Sequence, residues 1–118
     1  MIKFKSLNRS KDFLKILKKR RINTKYFTVY FDKNFKNNPN KFLNISFVMK
    51  KKIGNAVKRN RIKRKLKSIV QKLLKMNSLI NLNYTYIIFG KEKAYKEHHD
   101  SLFEKMKKSF KRMDGIKL

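Results

Sequence analysis

The acidic groups that could do chemistry in this chain number seven: Asp12, Asp32, Glu92, Glu97, Asp100, Glu104 and Asp114. A nuclease working through its own side chains would most simply cluster carboxylates around Mg²⁺ or pair two histidines for acid–base work. Glu97, Asp100 and Glu104 do share one helical face, but they lie among Lys96, Lys105, Lys107 and Lys108, the pattern of solvated ion pairs. His98 and His99 are adjacent, point about 100° apart on a helix, and do not readily ligate one metal. Cysteine is absent, which excludes thiol catalysis, thiolate metal sites and disulfides. Three glycines leave no Gly-rich phosphate loop. The polypeptide alone does not read as a catalyst, and any metal site in it is unknown. The segment 50–67, KKKIGNAVKRNRIKRKLK, is different, with ten Lys or Arg in eighteen residues. Arg59, Arg61 and Arg64 are three of only seven arginines in a chain dominated by lysine. Guanidinium groups grip phosphates bidentately, as lysine cannot. Asn60, between two of them, adds an amide that both donates and accepts at a base edge or sugar hydroxyl.

Such residues act together only if a fold fixes their directions. Ile62, Leu66, Ile69, Val70 and Leu73 form one stripe of a helix spanning about 56–75, with Arg61, Arg64, Lys65 and Ser68 well away from it. Before it, a shorter helix starts near Ser10, a residue suited to the N-cap, with Phe13, Leu14 and Leu17 on one apolar face. Arg20 and Arg21 are expected near its end, where cations complement the helix dipole. Residues 25–32 alternate with period two, Phe27, Val29 and Phe31 facing one way and Tyr26, Thr28 and Tyr30 the other. Residues 32–41, with Asn37-Asn38-Pro39-Asn40, read as a turn. A second strand over 42–49 carries Leu43, Ile45, Phe47 and Met49 on its apolar face, and the two strands are expected to pair antiparallel. YTYIIF at 84–89 reads as an inner strand. A last helix over about 95–112 turns Leu102, Phe103, Met106, Phe110 and Met113 inward, and Asp114-Gly115 should stop it. The order α-β-β-α-β-α predicts one α+β domain over residues 1–118, a small central sheet with helices packed on it, and flexible ends at 1–7 and 114–118.

The overall charge points the same way. The chain has 118 residues, 34 Lys+Arg against 7 Asp+Glu, and a formal net charge of +27. That self-repulsion weakens the compact state and is most readily explained by a polyanionic partner. With 41% hydrophobic and 13% aromatic residues the chain can still build a core. No apolar run approaches the ~20 residues of a membrane span. Lys3 and Lys5 interrupt what could have been a signal peptide, so a cytoplasmic protein is expected. Tyr26 and Tyr30, on the wetter strand face, are candidate stacking platforms for single-stranded bases.

The run Lys51-Lys52-Ile53-Gly54-Asn55-Ala56-Val57-Lys58-Arg59-Asn60-Arg61-Ile62-Lys63-Arg64 resembles the signature segment of the bacterial ribonuclease P protein subunit, and its core is the box Arg59-Asn60-Arg61. The resemblance implies an accessory subunit of a ribozyme that removes the 5′ leader from precursor tRNA. Its partners would be ribonuclease P RNA and precursor tRNA, with no membrane and no small-molecule substrate. The RNA subunit would perform the Mg²⁺-dependent hydrolysis, and the protein would bind the leader and strengthen substrate and metal binding. The resemblance also implies a left-handed β-α-β crossover, against the usual hand. Carried over, Lys51, Lys52, Asn55, Arg59, Asn60, Arg61, Lys63, Arg64 and Lys67 face the ribozyme RNA near its catalytic centre. Phe13, Leu17, Tyr26 and Tyr30 line a cleft for the leader; Leu17 stands where relatives often carry a second aromatic. The alternative is a general RNA-binding or ribosomal protein with a split βαβ fold.

Overall fold

A computed structural model describes residues 2–7, 10–34, 42–76 and 79–114. The elements follow the order β1 (Phe4–Lys5), α1 (Ser10–Leu17), β2 (Arg20–Asn23), β3 (Phe27–Lys33), β4 (Leu43–Val48), α2 (Ala56–Leu74), β5 (Tyr84–Gly90) and α3 (His99–Asp114). Short 3₁₀ turns at Lys51–Ile53 and Glu92–Ala94 introduce α2 and the approach to α3. The five strands form one mixed sheet in the order β1-β4-β5-β3-β2. Arg20 and Arg21 therefore do not end the first helix. They open a strand antiparallel to β3, in which Ile22 sits opposite Val29 on the core face. Phe4 and Lys5, expected in a flexible arm, pair in parallel with Leu43 and Asn44 at the sheet edge.

The antiparallel pairing expected between the strands at 25–32 and 42–49, which are β3 and β4, does not occur, because β5 lies between them. It runs antiparallel to β3 and parallel to β4. α2 is the crossover connecting β4 to its parallel neighbour β5, an α+β arrangement with three helices on one sheet. The expected turn at 32–41 and the expected stop at Gly115 lie largely or wholly outside the described residues.

Register sorts the two faces. Phe27, Val29, Phe31, Leu43, Ile45, Tyr86 and Ile88 point into the main core and are almost wholly buried. The five-residue stripe of α2 is entirely buried against them, as are Leu102, Met106, Phe110 and Met113 of α3. Phe103, expected inward, is half-buried at the margin. Tyr86 keeps its hydroxyl satisfied by donating to the Asn81 carbonyl at 2.9 Å, while its ring meets Phe110 edge-on at 5.1 Å. α3 starts at His99, four residues later than periodicity suggests, because the 3₁₀ turn Glu92–Ala94 and the turn after it first cross α2. The opposite sheet face carries Thr28, Tyr30, Ile87 and Phe89, and α1 packs there on β3 and β5 with Ile16 buried. The molecule thus has three layers: α1, the sheet, then α2 with α3.

Candidate nucleic-acid interface

α1 covers only part of the outer sheet face, and what it leaves open is a groove of about 480 Å³. Leu17, Thr28, Tyr30, Lys50, Lys52, Ile53 and Phe89 are among its lining residues. Phe89 organises the aromatic wall: its ring lies 5.5 Å from Tyr30 and 6.3 Å from Phe13, both edge-on. The Lys50 ammonium stands 5.5 Å over the same ring, a cation–π contact at a half-exposed site. Of the four residues expected in the cleft, Phe13, Leu17 and Tyr30 converge here. Tyr26 does not. It precedes β3 in a turn where the Thr24 hydroxyl accepts from the Tyr26 and Phe27 amides at 3.2 and 3.1 Å. The period-two pattern, begun at Lys25, ran through a turn. Phe89 was missed because YTYIIF looks uniformly apolar; the signal is its register opposite Thr28, on the face of Tyr30.

The basic segment begins at the mouth of this groove. Lys51–Ile53 form a 3₁₀ turn anchored by buried Ile53, leaving Lys51 and Lys52 exposed with Lys52 on the groove wall. Gly54 then takes φ +153° and ψ −162°, a region held almost only by glycine. Asn55 caps α2, its side-chain oxygen accepting from the Lys58 amide at 2.9 Å. That capping role is a structural task for a residue expected at the RNA. From there a 100° step per residue sets every direction. Asn60, Lys63, Arg64 and Lys67 fall within an arc of about 100° and are all exposed. Arg59 and Arg61 point about 160° apart, so the Arg-Asn-Arg box wraps around the helix instead of forming one face. Arg59 lies half-buried with its Nε desolvated and unpartnered among the described residues. Arg61 is exposed and donates to the Tyr95 hydroxyl at 3.5 Å. Lys67 is placed 6.0 Å over the Phe4 ring on the opposite flank.

Lys65 behaves unlike its neighbours. Its ammonium donates to three backbone carbonyls, Ala94 at 3.2 Å, Tyr95 at 2.6 Å and Glu97 at 3.0 Å. Three donors meeting three acceptors use the whole hydrogen-bonding capacity of a lysine. This side chain holds the approach to α3 onto α2 and is not a surface charge.

The site combines an aromatic groove, lysines along its rim and a basic helix beside it, features that single-strand nucleic-acid binders use. Among the described residues no three His, Asp or Glu side chains come together as metal ligands. The family model for ribonuclease P matches residues 1–114. The chain belongs to the ribonuclease P protein family. It is 29% identical over 114 residues to the ribonuclease P protein component of Mesomycoplasma hyopneumoniae strain 7448, covering 96% of each chain. It also matches the solved ribonuclease P protein of Thermotoga maritima, with 25% identity and a TM-score of 0.69, over 92% of this chain and 96% of that one. The Staphylococcus aureus ribonuclease P protein at 2.0 Å shares the fold, with a TM-score of 0.69, 22% identity and coverage of 92% and 94%. A ribonuclease P protein component serves a ribonucleoprotein endoribonuclease that processes the 5′ end of tRNA. No helix among the described residues is long and apolar enough to cross a membrane.

Proposed function

We propose that this chain binds ribonuclease P RNA through the exposed side of α2 and holds the single-stranded 5′ leader of precursor tRNA in the groove under α1. The observation that carries the reading is the groove itself: the Phe13–Phe89–Tyr30 cluster bordered by Lys50 and Lys52. Tyr30 and Phe89 are half-exposed and offer ring surface on which bases stack without regard to sequence. Lys50 and Lys52 sit where the backbone phosphates of that strand would pass. Asn60, Lys63, Arg64 and Lys67 present a second, rigid cationic surface, held in direction by the buried stripe on the other side of α2. Arg59, whose Nε has no acceptor in its own chain among the described residues, and Arg61 extend that surface around the helix start.

Mg²⁺ bound by the RNA would supply the activated water and stabilise the leaving oxygen of phosphodiester hydrolysis. The residues present here do not fit a metal cage, since no three carboxylate or imidazole groups converge among those described. The polypeptide's part is positioning. It fixes the leader relative to the RNA and reduces repulsion between phosphates brought close together.

The groove is tested by replacing Tyr30 and Phe89 together with Ala and comparing holoenzyme affinity for precursor and mature tRNA. Each stacked base contributes about 1–3 kcal/mol, so the preference for precursor should fall at least tenfold. Tyr30→Phe, which keeps the ring, should retain that preference. A preference unchanged in the folded double variant would remove the groove from leader binding.

A further inference from the structure

A second cavity of about 530 Å³ adjoins the groove, with Glu92 on the walls of both. Its other lining residues include Tyr26, Tyr95 and the lysines Lys25, Lys58, Lys93 and Lys96. We infer that the single strand lying in the groove continues past Glu92 into this cavity, where a further base stacks on Tyr26 or Tyr95 and its phosphates meet the surrounding lysines. The inference rests on the leader reading given above and adds a second subsite to it.

Three observations carry it. The volume is that of a small-molecule site, and the lining combines aromatic faces with an excess of cations, the composition suited to a nucleotide. The walls are fixed before any strand arrives. The Lys65 ammonium holds the carbonyls of Ala94, Tyr95 and Glu97, and the Lys91 amide donates to the Tyr26 carbonyl at 3.0 Å. Lys91 also donates from its ammonium to the Thr24 carbonyl at 2.6 Å, closing the turn that carries Tyr26. Finally, the two acids in the cavity are already engaged. Glu92 accepts from Lys58 at 2.9 Å, and Glu97 accepts from the His98 amide at 2.9 Å and faces the Tyr26 phenol. Neither is an isolated negative charge facing an incoming phosphate. Lys58 also stands 5.1 Å over the Tyr95 ring, and Arg61 reaches that tyrosine's hydroxyl.

The test uses the holoenzyme and three RNAs: mature tRNA, a precursor with a leader of about 4 nucleotides and one of about 12, which span the usual site sizes of single-strand grooves. The native protein should bind the long-leader precursor about tenfold more tightly than the short-leader one. Tyr26→Ala with Tyr95→Ala should collapse that ratio towards one. Lys93→Glu with Lys96→Glu, both at exposed positions, should reduce it without any burden on folding. No gain from the longer leader, or a gain that survives both double variants, would overturn the second subsite while leaving the groove reading intact. Equal affinity for mature tRNA and the short-leader precursor would instead overturn the groove reading and the subsite with it. A loss of affinity for ribonuclease P RNA that is independent of leader length would assign the cavity to the ribozyme and overturn the inference.

Discussion

RNA affinity should fall about 300-fold when salt is raised from about 50 mM to about 200 mM, if each proposed cation neutralises one phosphate at ~0.7 log units per log salt. The cations counted are the exposed ones, Lys50, Lys52, Arg61, Lys63, Arg64 and Lys67, spread between the groove mouth and the outer side of α2; half-buried Arg59 is not counted. Counterion release makes the effect a slope, and so it can be dissected one residue at a time. Arg64→Ala should reduce the slope by about 0.7 and weaken every RNA to a similar degree, because phosphate contacts carry no sequence information. Tyr30→Ala should lower affinity for leader-bearing RNA and leave the slope unchanged, since stacking releases no ions. A flat salt profile for the native protein would contradict the electrostatic part of the account.

Lys65→Met is expected to destabilise the fold by about 3 kcal/mol and to lower the melting temperature by about 10 °C. Methionine keeps the length and apolar stem but removes all three bonds to the Ala94, Tyr95 and Glu97 carbonyls. Hydrogen bonds from a charged donor contribute more than neutral ones, and the abandoned carbonyls lie in part-buried positions. The loss would be a large share of the stability of an ordinary domain, about 5–15 kcal/mol. Lys65→Arg should not restore it, because a planar fork cannot reach three carbonyls arranged around a point charge. Neighbouring Lys63→Met, at an exposed position without such contacts among the described residues, provides the control, and thermal melting followed by circular dichroism separates the two. Equal melting temperatures would make Lys65 one more surface charge.

These two residues illustrate what could be read from the chain alone. α2 was legible because five apolar residues recur at helical spacing, and the same five are wholly buried. That periodicity fixes which side of the helix is outside, and so where Lys63, Arg64 and Lys67 point. It sets Lys65 with the outward residues and cannot show that its ammonium is taken up by carbonyls 29 to 32 residues further along the chain. Sheet order is hidden from local pattern for a related reason. Strands adjacent in sequence suggest neighbours in space, whereas β5 returns through α2 to insert between β3 and β4. Its two faces are both covered, which erases the alternation that would have singled out Phe89. Tyr30 was placed on the correct face by period two alone. Tyr26, four residues earlier, was not, because the Thr24 turn shifts it out of the strand. Local patterns therefore show the basic helix and part of the groove, and long-range register supplies the rest.

The central claim is that this chain makes a catalytic RNA effective on leader-bearing tRNA. It is tested most directly by precursor-tRNA cleavage at low Mg²⁺, using a bacterial ribonuclease P RNA alone, the protein alone, and both together. The account predicts mature tRNA with a 5′-phosphate when both are present, little with RNA alone, and none with protein alone. Cleavage by the RNA that is unchanged by the protein at every salt and Mg²⁺ concentration, while the protein still binds both RNAs, would contradict it.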